Sequence, residues 1–399
     1  MTQYDIIIIG AGISGLSLAH YCAEAGMATL VIEKSDRTGG CFHSHRFQGD
    51  AASFWLELGA HTCYNSYGNL LGIMEQNRLI GSILKREKVS FRMLVDSEIQ
   101  SITSQLSFPE LFTSAWRLFT LQKDGESVAS YYSRIVGKGN FERVFAPAFN
   151  AVISQRANDF PANMLFNKRP RRKDIIKSFT LNGGLQTITD TIAARPGITL
   201  LTGTVVANID QAGEKFLVAT EDGASYEATG LAVAIPPNEA ANLLHGTAPE
   251  LASLLAGIKV ETIETVGVAV KKEQLTLQPL AGIIASNDVF YSAVSRDTVP
   301  HDSYRGFSFH FKAGKLAHEE KLQRICQVLK VRREDLQQVA ARESRLPSPV
   351  VGHGSIVASI DRLLAGTRLL VAGNYFAGMA VEDCIVRSRS EFTRLQGMP

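Results

Sequence analysis

The stretch Asp5-Ile6-Ile7-Ile8-Ile9-Gly10-Ala11-Gly12-Ile13-Ser14-Gly15 decides the fold. Four isoleucines in a row predict a strand buried on both faces, because a run without alternation has no polar side to turn to solvent. The three glycines suit a tight passage from strand to helix. Gly10 permits the turn, Gly12 lets the backbone approach a diphosphate, and Gly15 lets the helix pack closely. The helix is predicted from Ile13 to about Ala25, closed by Gly26, and Thr29-Leu30-Val31-Ile32 supplies a second parallel strand. Glu33 ends that strand, eighteen residues past Gly15, where a carboxylate accepts hydrogen bonds from ribose hydroxyls. Strand, turn, helix and acid together define a dinucleotide-binding βαβ unit, with the positive helix end aimed at phosphate.

A second glycine-bearing segment stands near the other end. Leu369-Leu370-Val371-Ala372-Gly373 reads as a strand, and Asn374-Tyr375-Phe376-Ala377-Gly378-Met379-Ala380-Val381 leads into another helix. Two such segments with the whole chain between them indicate FAD rather than NAD. Arg37-Thr38-Gly39-Gly40 suits backbone passing close to an extended cofactor, with Arg37 able to pair with a phosphate oxygen. Gly183-Gly184-Leu185-Gln186-Thr187 opens a further helix. The helix N-terminus after Gly378 is expected near the cofactor, where its dipole favours negative charge on a reduced flavin.

Composition sets the outer limits. A chain of 399 residues, 45% apolar and 20% charged, is that of an ordinary folded protein of about two domains. Forty-one basic against thirty-nine acidic residues point away from a nucleic-acid partner. Cys22, Cys41, Cys63, Cys326 and Cys384 are odd in number and lack zinc spacing, which fits a reducing compartment and no metal. The first strand begins almost at Met1, without a basic leader, and no stretch reaches about eighteen uninterrupted apolar residues. The expectation is a cytoplasmic protein, with peripheral membrane contact left open.

Further along, residues 70–173 are mostly helical in period and end in the basic run Arg169-Pro170-Arg171-Arg172-Lys173. Strand signals return at 198–201, 216–219 and 230–235, where Pro236-Pro237 stops the run, and Thr265-Val266-Gly267-Val268-Ala269-Val270 alternates as a strand. The expected architecture is α/β: a doubly wound, Rossmann-like FAD-binding domain made of 1–80, 175–237 and 350–399. A mixed α+β substrate domain is formed by two insertions, 81–174 and 238–349.

These features resemble the FAD-dependent amine oxidase superfamily, and within it the protoporphyrinogen oxidase branch. The resemblance runs through GAGISG with Glu33, the RTGG segment, Glu57-Leu58-Gly59-Ala60-His61, Ser127-Val128-Ala129-Ser130-Tyr131, Phe141-Glu142-Arg143-Val144-Phe145-Ala146-Pro147, the GGLQT turn, Ala234-Ile235-Pro236-Pro237 and the closing GMAVEDCI. Cys41 stands where that family more often has arginine, and Ala281-Gly282-Ile283-Ile284 corresponds to a strand over the flavin. What the resemblance implies is FAD held by Gly10, Gly12, Ile13, Ser14, Gly15, Glu33, Lys34, Arg37, Gly39, Gly40, Val206, Gly373, Met379, Ala380 and Val381. It implies Arg92 and Phe376 at a small apolar substrate, a reduced tetrapyrrole above others, oxidised with oxygen as acceptor. No side chain is assigned to catalysis. A flavin amine oxidase or desaturase, a non-catalytic flavin-carrying binding protein and a sugar-mutase type enzyme are the alternatives.

Four smaller expectations complete the reading. Phe108, Phe112, Trp116 and Phe119 recur every three or four residues, as a core-facing stripe lining the substrate cavity would; contact with a membrane surface is the other reading. The basic run 169–173 is a solvated loop or a site for anionic groups. Cys41 and Cys384 are expected as buried hydrophobes, and His43 and His45 as hydrogen-bonded loop residues. Tyr375 and Phe376 offer one wall of an aromatic cage for an amine.

Overall fold

The computed structural model describes residues 2–398. Its first sheet runs in the order Ile198–Leu201, Thr29–Ile32, Thr2–Ile9, Ser225–Val233, Lys215–Thr220 and Val206–Ala212, with Leu369–Val371 pairing the end of Ser225–Val233. The four strands nearest the glycine turn are parallel, and Leu369–Val371 lies parallel to them. Ile6 and Ile8 enter one apolar cluster and Ile7 and Ile9 the opposite one, so the isoleucine run is buried on both faces as read. The helix Ile13–Glu24 follows. At Gly10 the backbone has φ +103°, and a Cβ on Gly15 would stand 1.9 Å from the Gly10 carbonyl oxygen. Any side chain at either position would force this turn apart.

The second sheet runs Leu336–Pro347, Val260–Lys271, Tyr304–Lys312, Phe290–Ser295, Gly282–Ala285, Phe91–Val95 and Glu98–Ser101, antiparallel except between Gly282–Ala285 and Phe91–Val95. Strand alternation divides its faces. Val266, Val268, Val270, Phe307, Phe309 and Phe311 pack beneath the helix His318–Leu329 with Leu322, Ile325 and Val328. The intervening residues face the first domain at van der Waals range. A Cβ on Gly267 would meet Leu58 at 2.5 Å, and one on Gly306 would meet Phe54 at 2.8 Å. Ser308 Oγ donates to the Glu57 carbonyl at 2.6 Å.

Packing shifts one boundary of the expected division. The helices Pro237–Leu244 and Pro249–Ala256 bury Ala240, Ala241, Leu244, Leu251, Ala252 and Leu255 in the cluster of Ile7 and Ile9. They cover the first sheet, and the chain joins the second sheet only at Val260. The last helix, Val381–Gln396, lies against Ile13–Glu24, where Ser388 Oγ donates to Ser14 O at 2.8 Å. Glu382 accepts from Asn69 N and Nδ2, both at 2.8 Å, and from Leu70 N.

The aromatic stripe is the largest departure. Phe108–Ser114 is an α-helix and Ala115–Phe119 a 3-10 turn. Phe112 and Phe119 are 89% and 88% exposed, and Phe108 and Trp116 also lie open. It is Leu111 and Leu121 that pack inward, against the cluster of Val128, Tyr131 and Phe149. The stripe therefore lines no interior cavity.

Candidate active site

The nucleotide end of the site is built from the first turn outward. The Glu33 carboxylate accepts from Ala11 N at 2.8 Å and from Ser35 N at 2.9 Å, fastening the glycine turn to the end of the second strand. It keeps free lone pairs for a ribose. Gly203 N and Thr204 N bond to Ser35 O and Glu33 O, so the stretch leading to Val206 runs beside the same acid. The RTGG loop folds onto the turn: Gly39 N donates to Ala11 O at 2.8 Å, and a Cβ on Gly12 would meet only Gly40 Cα, at 3.7 Å. The unpaired N–H groups of Ile13, Ser14 and Gly15 open the helix at this point.

Two expected contacts are redirected. Lys34 turns outward to Glu239 at 2.7 Å. Arg37 donates to the carbonyls of Thr38 at 2.7 Å, Phe42 at 3.1 Å and Gly40 at 3.2 Å, so it clamps its own loop. Arg342 Nη2 meets the same Gly40 carbonyl at 2.7 Å, and its Nη1 is buried without a partner. Burial and the neighbouring Arg342 lower the Arg37 pKa to about 10. Burial drives His43 down to about 3, helped by Arg37 and Arg342, so it is no acid at neutral pH, and its Nδ1 also lacks a partner. Burial also lowers His45. Converging cations and orphaned donors beside glycine backbone fit the diphosphate of an FAD.

At the far end, Glu57 ties three segments together. Its carboxylate accepts from Leu185 N at 2.7 Å and from Ser44 Oγ at 2.9 and 3.0 Å, binding the ELGAH strand to the GGLQT turn. Burial raises it to about 7 against those hydrogen bonds. Just beyond, His61 Nε2 lies 3.0 Å from His310 Nε2, and His310 Nδ1 lies 3.0 Å from Thr265 Oγ1. Burial drives His61 well below its ordinary range and brings His310 to about 4. Arg342, Thr265, His310, Ser292, Ile284 and Met93 are successive cross-strand partners, one row across the face of the second sheet turned to the first domain. Ser292 Oγ is buried without a partner, and Val144 of the helical insertion packs on Ile284 and Met93.

Several expected residues lie elsewhere. Arg92 pairs with Ile283, on the opposite face of the sheet, in a surface hollow with Glu98, Leu277 and Lys330. One residue of register in a strand reverses its face, and Arg92 therefore points away from the row. Phe376 and Tyr375 are buried in the first-sheet core, with the Arg387 guanidinium 3.7 Å from the Phe376 ring centroid. They form no cage. Cys41 is exposed, whereas Cys384 is buried with its thiol pushed up to about 12. Gly373 backs onto the Tyr375 ring, and Met379 accepts from Gln155 Nε2 at 3.6 Å. Asp383 accepts from Ala380 N at 3.2 Å and pairs with Arg169, so part of the dipole before Val381 is already met by a carboxylate. Arg172 pairs with Glu75 and Asp174, while Arg171 and Lys173 are exposed. Sequence reasoning did not reach His310, Thr265 and Arg342; Gly306, Ser308 and His310 alternating with Phe307, Phe309 and Phe311 are the available signal.

A doubly wound nucleotide domain pressed against a mixed sheet, with a diphosphate-ready turn, defines an FAD-dependent oxidoreductase. The chain belongs to the flavin containing amine oxidoreductase family, whose model matches residues 13–390. It is 24% identical to a flavin-containing amine oxidase of Danio rerio over 82% of this chain and 70% of that one. Stronger identity is local: 46% with the flavin-dependent L-tryptophan oxidase RebO of Lentzea aerocolonigenes, over 14% of this chain and 12% of that one. The match to the Danio rerio all-trans-retinol 13,14-reductase likewise spans only 9% of that protein. In fold, the chain is similar to a candidate protoporphyrinogen oxidase from Exiguobacterium sp. 255-15, with TM-score 0.77, 16% identity and 98% of each chain covered. A reduced UDP-galactopyranose mutase superposes with TM-score 0.73 at 16% identity, over 99% of this chain and 96% of that one.

Proposed function

We propose that this protein is an FAD-dependent oxidase of the protoporphyrinogen oxidase type, taking a reduced tetrapyrrole and passing its electrons to oxygen. The bound FAD supplies two-electron oxidation of a carbon centre. The chain's own groups bind, orient and hold protons. Glu33 and the N–H groups of Ile13–Gly15 hold the nucleotide, and Gly39 and Gly40 let backbone approach it. Tight contact of Gly267 and Gly306 with Leu58 and Phe54 excludes water from the seam between the sheets. His61 and His310 hold one proton between facing Nε2 atoms and can take up a second only at acid pH.

The observation that carries the substrate class is the burial of Tyr375 and Phe376. With both rings inside the first-sheet core, Tyr375 and Phe376 offer no aromatic wall to an ammonium substrate. The row ends instead in Ile284 and Met93, packed with Val144 into an apolar cluster, which favours an apolar substrate over a cationic one. The solved neighbour from Exiguobacterium supports the same reading. Arg92 faces away, so the substrate's carboxylates need another cation. Arg86, bound to Thr62 and Thr298 on the His61 side, is the proposed one. The exposed Phe108, Phe112, Trp116 and Phe119, flanked by Arg117, form the proposed contact with a membrane surface, from which an apolar substrate arrives. Phe166, also exposed, sits beside Lys123, whose Nζ donates to Leu165 O at 2.8 Å.

Anaerobic mixing of the yellow protein with porphyrinogen is expected to bleach the flavin, and air is expected to restore it with peroxide formed. A flavin that stays oxidised with porphyrinogen but is reduced by amines would assign the second reading, an amine oxidase, which the Danio rerio relative favours.

A further inference from the structure

Arg342 belongs to the second sheet, yet its guanidinium lies among the glycine turns of the first. Nη2 donates to Gly40 O at 2.7 Å, the carbonyl that Arg37 Nη2 also reaches at 3.2 Å. Among the described residues, the hydrogen bonds of these two guanidinium groups go to the backbone carbonyls of Thr38, Gly40 and Phe42. Nη1 of Arg342 is buried with no acceptor, and it stands 3.3 Å from the position a Cβ would take on Gly59. Glu33 is the carboxylate that acts on both arginines, and its oxygens already accept from Ala11 and Ser35. Two like charges on one carbonyl, one with an orphaned buried N–H, form an unfavourable arrangement unless an anion joins them.

The position says which anion. Gly40 packs directly on Gly12, the glycine that faces the nucleotide, with a Cβ on Gly40 only 3.0 Å from Gly12 Cα. We propose that Arg342 binds the diphosphate of FAD through Nη1, reaching across from the substrate-side sheet because Arg37 is committed to its own loop. The contact is charge-assisted and desolvated, the circumstances in which an arginine–phosphate bond is strongest. It also has a mechanical consequence. Arg342 is the cross-strand partner of Thr265, and Thr265 that of His310. Holding the diphosphate therefore fixes how the row carrying His310 sits over the first domain. This proposal rests on the cofactor alone and is independent of the substrate.

The test is titration of flavin-free, full-length protein with ADP, which carries the diphosphate and lacks the isoalloxazine. Calorimetry is expected to show ADP bound 10- to 100-fold more weakly by Arg342→Met, a range typical of a charged hydrogen bond. AMP, with its single phosphate, is expected to lose less. Arg342→Gln keeps an N–H for Gly40 O and removes the charge, so it carries the test if the methionine variant does not fold. Circular dichroism identifies the folded variants. ADP affinity within about twofold of wild type in either folded variant overturns the proposal. So does a loss of FAD affinity with ADP unchanged, which would move the contact to the isoalloxazine. Wild-type protein that takes up neither FAD nor ADP would overturn the cofactor assignment itself.

Discussion

His61 and His310 meet Nε2 to Nε2 at 3.0 Å across the seam between the two sheets. Only one of the facing nitrogens carries a proton while both rings are neutral. Burial, the second ring and Arg86 keep His61 well below its ordinary range, and burial brings His310 to about 4. A depressed histidine pKa stabilises the fold above the unfolded value, near 6.5, and that contribution is lost as pH falls toward 4. Between pH 7 and pH 4.5, urea unfolding is expected to show His310→Phe losing about 2–3 kcal/mol less stability than wild type. An identical loss in the variant would remove this pair from the account of acid sensitivity.

Glu57 works in the opposite direction. With its carboxyl raised to about 7 by burial, the folded state holds a proton that the unfolded chain releases near 4.5. Stability attributable to Glu57 therefore falls as pH rises from about 4.5 to about 7 and is level above that. Glu57→Gln is isosteric and does not titrate. Its stability relative to wild type is expected to improve by roughly 1–3 kcal/mol across that window, read from denaturant midpoints at pH 5 and pH 8.

Gly12 separates folding from cofactor binding. Its backbone has φ −73°, and an added Cβ would meet nothing nearer than Gly40 Cα at 3.7 Å. Gly12→Val should leave the thermal transition within a few degrees of the flavin-free wild type. Its side chain would fill the path of the diphosphate and weaken FAD by about 100-fold or more, about 2.7 kcal/mol. Flavin absorbance retained after desalting measures this directly. Retention at the wild-type level counts against the proposed path.

The exposed aromatics give a prediction without a stability cost. Phe112 and Phe119 are 89% and 88% exposed, so Phe112→Ser with Phe119→Ser should leave unfolding unchanged within about 0.5 kcal/mol. Each ring buried in an interface is worth about 1.5–3 kcal/mol, so vesicle binding is expected to weaken by at least about 100-fold. Co-sedimentation with anionic vesicles reads the result, and equal pelleting of both proteins would remove the membrane from the proposal.

What is legible in the sequence alone is local. The βαβ unit was legible because each requirement lies within one short stretch: isoleucines for a buried strand, glycines for the turn, Glu33 at the next strand's end. The family signature extended that reading to the termini. What escaped depends on partners far away in the chain. His310 acquires meaning from His61, 249 residues earlier. Arg92 was lost by strand parity, since its neighbours Phe91 and Met93 face the other way. Phe108 and Phe112 do share one α-helix, but Trp116 falls in the 3-10 turn after it, and periodicity is silent on what a helical face meets. Pro236-Pro237 marked the end of a strand and could not tell on which sheet the next two helices would rest. Phe376 looked available until Arg387 was found stacked upon it.

The closing helix has a bearing on biosynthesis. Ser388 reaches back to Ser14, and Glu382 to Asn69 and Leu70. The helix Ile13–Glu24 therefore gains this brace only once residues 381–396 have been made and have docked on it.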